Sequence, residues 1–563
     1  MSKIIRTRTY STSQVTQLTS AGMHPLLAQL LVARGVSAQH EVDSGLKHLI
    51  PPDQLLNSNW MAQQLVECIT QQRKILVVGD YDADGATATA VAVKGLRGMG
   101  AQVDFLVPNR FEYGYGLTPE IVNLAQQFSP EVILTVDNGI ASVDGVARAN
   151  ALGIQVLITD HHLPADVTPE AACIVNPNQR GCDFPSKHLA GVGVMFYVLL
   201  ALRAELIAQG QMDASQPYAL AELLDLVALG TVADLVKLDR NNRILVEQGL
   251  RRIRAGACCP GILAILQCAG RDSRKVTAQD LGFYVGPRLN AAGRLDDMTL
   301  GIRCLLAESM HEAMPYAQQL QALNVERRQI EAGMQQEALA DLEEVTVADR
   351  FTLSIYQPEW HQGVIGILAS RIKEQYHRPV IAFASAGDGL LKGSGRSIPG
   401  LHLRDALDYV TKQHPTLIIK FGGHAMAAGL TIREADFQLF QQAFETAVRS
   451  YITLEDLQEA IETDGALTTD DITLETASLL EKQVWGQGFP PPMFYDQFRV
   501  VSQRILGEKH LKLHLQKGEW RYEAIYFNQA TLLPEQVHAV YQLQINDYQG
   551  QQQVQLQLKY AHA

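Results

Sequence analysis

Three aspartates at alternate positions, Asp80, Asp82 and Asp84, stand directly after an apolar run in KILVVGDYDADGATATA. Carboxylates packed this closely suit a hard divalent cation such as Mg²⁺ or Mn²⁺, which takes oxygen ligands, and Mn²⁺ also accepts imidazole. Alone, D-x-D-x-D-G reads equally as a solvated acidic turn or a calcium loop, because short motifs recur by chance. The EF-hand form fails: its twelfth position, counted from Asp80, needs a glutamate and holds Val91. Two further runs end in the same manner, at Val136-Asp137-Asn138-Gly139 and at Thr159-Asp160-His161-His162, and LGTVADLVKLDRNNR adds Asp234. A lone histidine is more often structural than a ligand, but repeated delivery of Asp and His to one edge argues against coincidence. Together the set offers four carboxylates and an imidazole, enough for two ions sharing one carboxylate. Such a pair activates water, orients a phosphate and stabilises the attacking and leaving oxygens of an in-line displacement.

The elements that must position these groups are legible as an alternation. Short apolar runs at 75–78, 103–108, 131–140 and 154–162 are separated by stretches with helical spacing such as TPEIVNLAQQF. This pattern predicts a parallel sheet with crossover helices, whose ligands bind beyond the carboxyl ends of the strands. Residues 1–70 read as a helical, polar lead-in and 71–304 as the catalytic α/β domain. One long polar helix is expected over 305–345, and a smaller α/β domain over 346–455 with strands at FTLSIYQ and PVIAFAS. From 456 to 563 alternating apolar and polar residues predict antiparallel strands and a small β-barrel.

Bulk composition narrows the class. A chain of 563 residues needs more than one core, and 47% hydrophobic with 19% charged residues is an ordinary globular balance. No apolar run looks long enough to cross a bilayer, and MSKIIRTRTYSTSQ lacks the apolar centre of a secretory signal. Seven cysteines, odd in number and without a C-x-x-C pair, suggest neither a zinc site nor a disulfide framework. A reducing cytoplasm fits. The net charge of −13 lowers the expectation of a nucleic-acid partner without excluding one, since clustered metal-binding carboxylates inflate the count.

DYDADG, VDNG, DHH and GTVADL, in this order, resemble the four motifs of the DHH phosphoesterase superfamily. Their flanks (VGDYDADGATATA, ITDHHLP, GTVADLVKLDRNNR, GPRLNAAGRLDD) are similar to the RecJ branch, and the likeness runs essentially end to end. It implies a metal-dependent 5′→3′ exonuclease of single-stranded DNA that releases 5′-mononucleotides in recombination and repair. It implies two Mn²⁺ or Mg²⁺ ions on Asp82, Asp84, Asp137, His161 and Asp234, with Asp137 as the bridge. His162 would face the scissile phosphate, and Asp80 would be an outer acid or complete one ion site. Single-strand-binding protein and a RecQ-type helicase are the implied partners, and the nucleoid the implied setting.

Beyond the catalytic domain, KGSGRSIPG and KFGGHAMAAG embed Ser394, Arg396, Gly422, Gly423 and His424. As isolated stretches they read as tight turns; by resemblance they are substrate contacts of a DHHA1 domain, with WHQGVIGILASR as its helix entry. Arg110 in VPNRFEYGYG, with Ser394 and Arg396, would bind a 5′ phosphate, and Tyr113 and Tyr115 either stack on bases or pack in the core. Arg288, Asn290 and Arg294 are candidates for DNA-backbone contacts or for capping. The barrel would be an OB-fold with Leu511, Leu513 and Leu515 inward and Lys512 and His514 outward. Lys509, Lys517, Trp520, Arg521 and Tyr522 would add charge and aromatic surface. Two rivals are a superfamily enzyme for short oligonucleotides or cyclic dinucleotides, disfavoured by the added barrel, and a non-catalytic replication scaffold, disfavoured by the full ligand set.

Overall fold

Five short strands, rich in Val, Ile and Leu, form the sheet that carries the acidic loops: β1 (Lys74–Gly79), β2 (Gln102–Leu106), β3 (Val132–Val136), β4 (Gln155–Thr159) and β5 (Cys173–Val175). They pair in the order β2-β1-β3-β4-β5, every pair parallel. Gly79 lies opposite Val136 and Val136 opposite Thr159, so Asp80, Asp137 and Asp160 leave the sheet at one level. Both faces are covered, which is why β1, β3 and β4 are continuous apolar runs instead of alternating ones. One face packs Leu76, Val78, Ile133 and Val156 on Ile121, Val146 and their neighbours.

The computed structural model describes residues 3–343, 347–548 and 550–563, except the side chains of Arg110, Phe111, Glu343, Ala348 and Tyr548. Two compact units divide the chain, Thr7–Gln321 with Glu462–Ala563, and Ala322–Ile461 with the first few residues. In the larger unit, helices α1 (Ser58–Thr70), α2 (Ala83–Gly98), α3 (Gly191–Ala208) and α4 (Leu224–Ala233) pack together. They are followed by α5 (Gly286–Leu295) and by α6 (Met310–Glu343), which carries the chain from one unit into the next. The expectation that no stretch is apolar enough to span a membrane needs correcting: α3 qualifies by length and composition. It is a core helix, 67% buried, lying against α1, α2 and α4.

In the smaller unit α7 (Ile365–Tyr376) packs on a mixed sheet of β6 (Leu353–Tyr356), β7 (Val380–Gly387), β8 (Leu390–Arg396), β9 (Ile418–Gly423) and β10 (Ala427–Arg433). The strand order is β9-β10-β8-β7-β6, with only β6 and β7 parallel. Both glycine-rich stretches therefore combine strand and turn: Gly393 and Gly395 lie within β8 with a turn at 399–400, and KFGGHAMAAG spans the β9–β10 hairpin. A side chain at Gly393 would come within 2.6 Å of the Phe383 ring, and that close approach explains glycine inside a strand.

The last five strands close a barrel within the larger unit: β11 (Phe494–Leu506), β12 (His510–Lys517), β13 (Trp520–Tyr526), β14 (Gln536–Tyr548) and β15 (Gln551–His562), in the order β11-β12-β13-β15-β14. Leu511, Leu513 and Leu515 are fully buried inside it, as their alternation predicts. Arg34, in the N-terminal lead-in, grips Asp464 ahead of the barrel through two hydrogen bonds of 2.8 and 2.9 Å. The guanidinium also donates to the Pro490 carbonyl at 2.7 Å and lies over the Trp485 ring.

Candidate metal centre

The loop after β1 turns at once into α2. Asp82 caps that helix by accepting from the Gly85 amide at 3.0 Å, and Asp80 accepts from the Tyr81 amide at 2.7 Å. Asp84, the second residue of α2, is buried and accepts two amides from the start of α3, Gly191 at 2.6 Å and Val192 at 2.9 Å. Asp137 ends β3 with a φ of +62°, a left-handed conformation that costs a non-glycine residue energy and is found most often where function imposes it. His161 and His162 follow β4, and Asp234 follows the last turn of α4.

Three sets of ligand atoms converge, each within 4.8 Å: Asp84, His161 and Asp234; Asp80, Asp82 and Asp137; and Asp137 with both histidines. His161 Nε2 lies 3.1 Å from Asp137 Oδ1, 3.5 Å from Asp234 Oδ2 and 3.9 Å from Asp84 Oδ2. Yet His161 Nε2 and Asp137 Oδ1 are both buried without a hydrogen-bond partner. Buried polar atoms are rarely left so, and a cation among them would satisfy both. The other His161 nitrogen is engaged by the Leu189 backbone, which leaves the Nε2 lone pair facing the carboxylates. Oxygen donors plus one imidazole fit Mn²⁺ or Mg²⁺.

The electrostatics of the ion-free centre agree. Burial, then the Asp82 charge, pushes the Asp84 carboxyl up to about 7. Burial and neighbouring carboxylates drive Asp137 and Asp234 well above the usual range. Burial lowers His161 to about 4, keeping its ring neutral and able to ligate. Burial also opposes charge on His162, but the Asp160 hydrogen bond and charge outweigh it and lift this ring to about 9. The two neighbouring histidines are thereby split into a neutral donor and a cation.

The family models cover most of the chain: the DHH family N-terminal domain at 74–231, the DHHA1 domain at 347–450 and the RecJ OB domain at 463–560. The Escherichia coli K12 protein named single-stranded-DNA-specific exonuclease RecJ is 51% identical over 551 residues, 95% of each chain. Its namesake from Haemophilus influenzae is 49% identical over 96% of each chain. This chain belongs to the RecJ family. Thermus thermophilus RecJ, solved in complex with Mn²⁺, superposes with a TM-score of 0.83 at 29% identity, covering all of this chain and 79% of that one. The Mg²⁺ complex gives 0.78, at 28% identity.

Of the residues singled out in the sequence, Asp80, Asp82, Asp84, Asp137, His161, His162 and Asp234 come together, and Asp80 takes a place beside Asp82 and Asp137. The Arg110 side chain lies outside the described residues. Arg288 is buried and donates to the Tyr284 carbonyl at 2.6 Å and to Gln321 Oε1 at 2.7 Å. In the DHHA1 domain Arg396 donates to Ser394 Oγ at 3.1 Å and to the Gly395 carbonyl, and Gly366 at the head of α7 sits against both side chains. Gly422 and Gly423 end β9 and lead to His424, whose amide bonds Ala427 across the hairpin.

In the RecJ OB domain Trp520 is exposed, as expected. Tyr522 is a correction: it is buried, with its hydroxyl donating to the Thr469 carbonyl. Lys517 likewise pairs with Asp496 instead of presenting an open cation. The chain ahead of the barrel covers this side, which strand alternation does not reveal.

Three roles at the site went unread in the sequence, two of them at residues already singled out, Asp160 and Tyr115, and one at Gly191. Asp160 accepts from His162 Nδ1 at 2.7 Å and from three backbone amides, so the first letter of Asp-His-His orients the last. The Tyr115 hydroxyl stands 3.2 Å from His162 Nδ1, placing that tyrosine at the centre. Gly191 serves twice: its amide holds Asp84, and a Cβ on it would fall 2.5 Å from Asp137 Cβ. Its only sequence signal was a small residue opening an apolar helix.

Proposed function

We propose that this chain is a single-stranded-DNA-specific 5′→3′ exonuclease that hydrolyses phosphodiester bonds at a two-ion centre and releases 5′-mononucleotides during recombination and repair. The observation that carries the reading is the convergence of seven acidic and imidazole side chains around two buried, unpartnered atoms, Asp137 Oδ1 and His161 Nε2. The name shared by its full-length relatives supports the substrate class.

Asp84, His161 and Asp234 would hold one ion and Asp80 and Asp82 a second, with Asp137 in reach of Asp80, Asp82 and His161. Bound there, the ions supply an activated water and neutralise charge on the attacking and leaving oxygens. His162, kept cationic by Asp160, faces the scissile phosphate, stabilising its charge or donating a proton to the departing oxygen. Ser394 and Arg396 offer a hydroxyl and a guanidinium to the 5′-terminal phosphate, with His424 as a further contact. Single-strand-binding protein and a RecQ-type helicase are proposed partners, in the cytoplasm at the nucleoid.

The test incubates single-stranded DNA blocked at either end with Mn²⁺ or Mg²⁺ and wild type or Asp137→Ala. Metal-dependent loss of the strand with a free 5′ end only, abolished by the substitution, is expected. Hydrolysis of di- to tetranucleotides with long strands intact would favour the small-substrate enzyme. DNA binding without cleavage would favour the scaffold.

A further inference from the structure

The PRLNAAGR stretch was read as either touching the DNA backbone or capping, and the structure turns part of it toward the loop of Asp80 and Asp82. Asn290 and Gly293 lie one turn apart on α5, on the side that meets residues 81–83. Asn290 Oδ1 accepts from the Ala83 amide at 2.8 Å. That amide belongs to the first residue of α2, directly between Asp82 and Asp84. It is one of the four N–H groups a helix start leaves without an intrahelical partner. Asp82 answers the Gly85 amide from within the loop, so Asn290 supplies from another helix what the loop does not supply itself.

Gly293 allows the approach. A Cβ at this position would lie 1.9 Å from the Tyr81 carbonyl oxygen and 3.0 Å from the end of Met298. The clash is with backbone, so α5 and the loop would have to separate. Asp80, Asp82 and Asp84 all belong to this loop, and a shift of a few tenths of an ångström would misplace three ligands together.

We infer that Asn290 and Gly293 are positioning residues that clamp the Asp80–Asp84 loop in its ligating shape, and that their contribution to the reaction is made through ion affinity instead of DNA contact. This rests on the reading of Asp80, Asp82 and Asp84 as ligands. Partners that hold ligands in place are worth roughly 10- to 100-fold in metal affinity.

The experiment measures Mn²⁺ binding to the full-length protein by calorimetry, beside KM for single-stranded DNA and kcat at saturating Mn²⁺, for wild type, Asn290→Ala, Asn290→Asp and Gly293→Ala. Asn290→Ala and Gly293→Ala are expected to weaken Mn²⁺ about tenfold or more. Their KM for DNA should stay within about twofold and kcat should recover at high Mn²⁺. Asn290→Asp keeps the acceptor and should bind Mn²⁺ at least as tightly as wild type. A raised KM with unchanged Mn²⁺ affinity in Asn290→Ala would overturn the inference in favour of DNA contact. Equal weakening by Asn290→Asp and Asn290→Ala would also overturn it, because the acceptor would then not matter. If wild type shows no Mn²⁺ binding that Asp137→Ala removes, the ligand assignment fails first and takes the inference with it.

Discussion

At the scale of single residues, the centre stores like charge that only a cation relieves. A carboxyl ionises near 3.9 in an unfolded chain, and Asp84 is lifted to about 7 when folded. Between these values the ion-free native state binds the extra proton, so its stabilising contribution is full below about pH 4 and lost as pH rises through 7. Asp137 and Asp234 shift in the same direction. The metal-free protein should therefore melt at a lower temperature at pH 8 than at pH 6, and Mn²⁺ should restore more stability at the higher pH. Asp137→Asn should raise the metal-free Tm at pH 8 while abolishing hydrolysis. A metal-free Tm that does not vary with pH would refute the argument. The converging residues themselves were legible: Asp80, Asp82, Asp84, Asp137, His161 and His162 come just after strand runs whose ends the sequence marks plainly, and Asp234 stands in GTVADL at the end of a helix. The orienting role of Asp160 was not, since it depends on a side chain folding back onto His162 two residues later, and spacing does not encode that.

At the scale of elements, the parallel sheet was readable because strands buried on both faces leave unbroken apolar runs, and the barrel because its strands alternate. What escaped was the set of contacts between elements. The glycines of β8 looked like turn residues because glycine is depleted in strands; the Phe383 ring beside Gly393 and the Leu403 side chain beside Gly395 explain them. The start of α3 is a second case. Gly191→Ala would set a methyl against Asp137, and overpacking of this kind costs about 1–3 kcal/mol. We expect a Tm lowered by several degrees and Mn²⁺ affinity reduced at least tenfold, measured by calorimetry on the purified variant. Wild-type Mn²⁺ affinity in Gly191→Ala would show that Asp137 tolerates displacement.

At the scale of the whole molecule, the net charge of −13 argued against DNA until the carboxylates were placed. Five of them, Asp80, Asp82, Asp84, Asp137 and Asp234, sit in the ion centre, so the formal count overstates what the rest of the surface presents. The lead-in is another case where the whole decides. Its sequence looked like a polar preface, yet Leu18, Leu27, Leu30 and Leu31 are buried, and Arg34 and Asp464 form an ion pair with side chains only 1% exposed. Removing Arg34 leaves the buried Asp464 with Arg8 at 3.5 Å as its remaining cation, and breaking a buried pair costs up to about 3–5 kcal/mol. Arg34→Ala should lower the Tm and speed proteolysis between residues 462 and 493, with hydrolysis at low temperature retained. Unchanged protease resistance would show that the pair does not hold this segment.

The larger unit is discontinuous along the chain, and Arg34 and Asp464 lie 430 residues apart on opposite sides of the inserted smaller unit. During synthesis at about 5–20 residues per second, Arg34 would wait roughly 20 to 90 seconds for its carboxylate to be made. Over that interval the nascent chain exposes the lead-in surface that the segment after Glu462 will cover, and the insert, made in the last third of the wait, is complete just before Asp464 appears. The order of folding is thus opposite to the order of nesting: the guest domain is finished before its host can close.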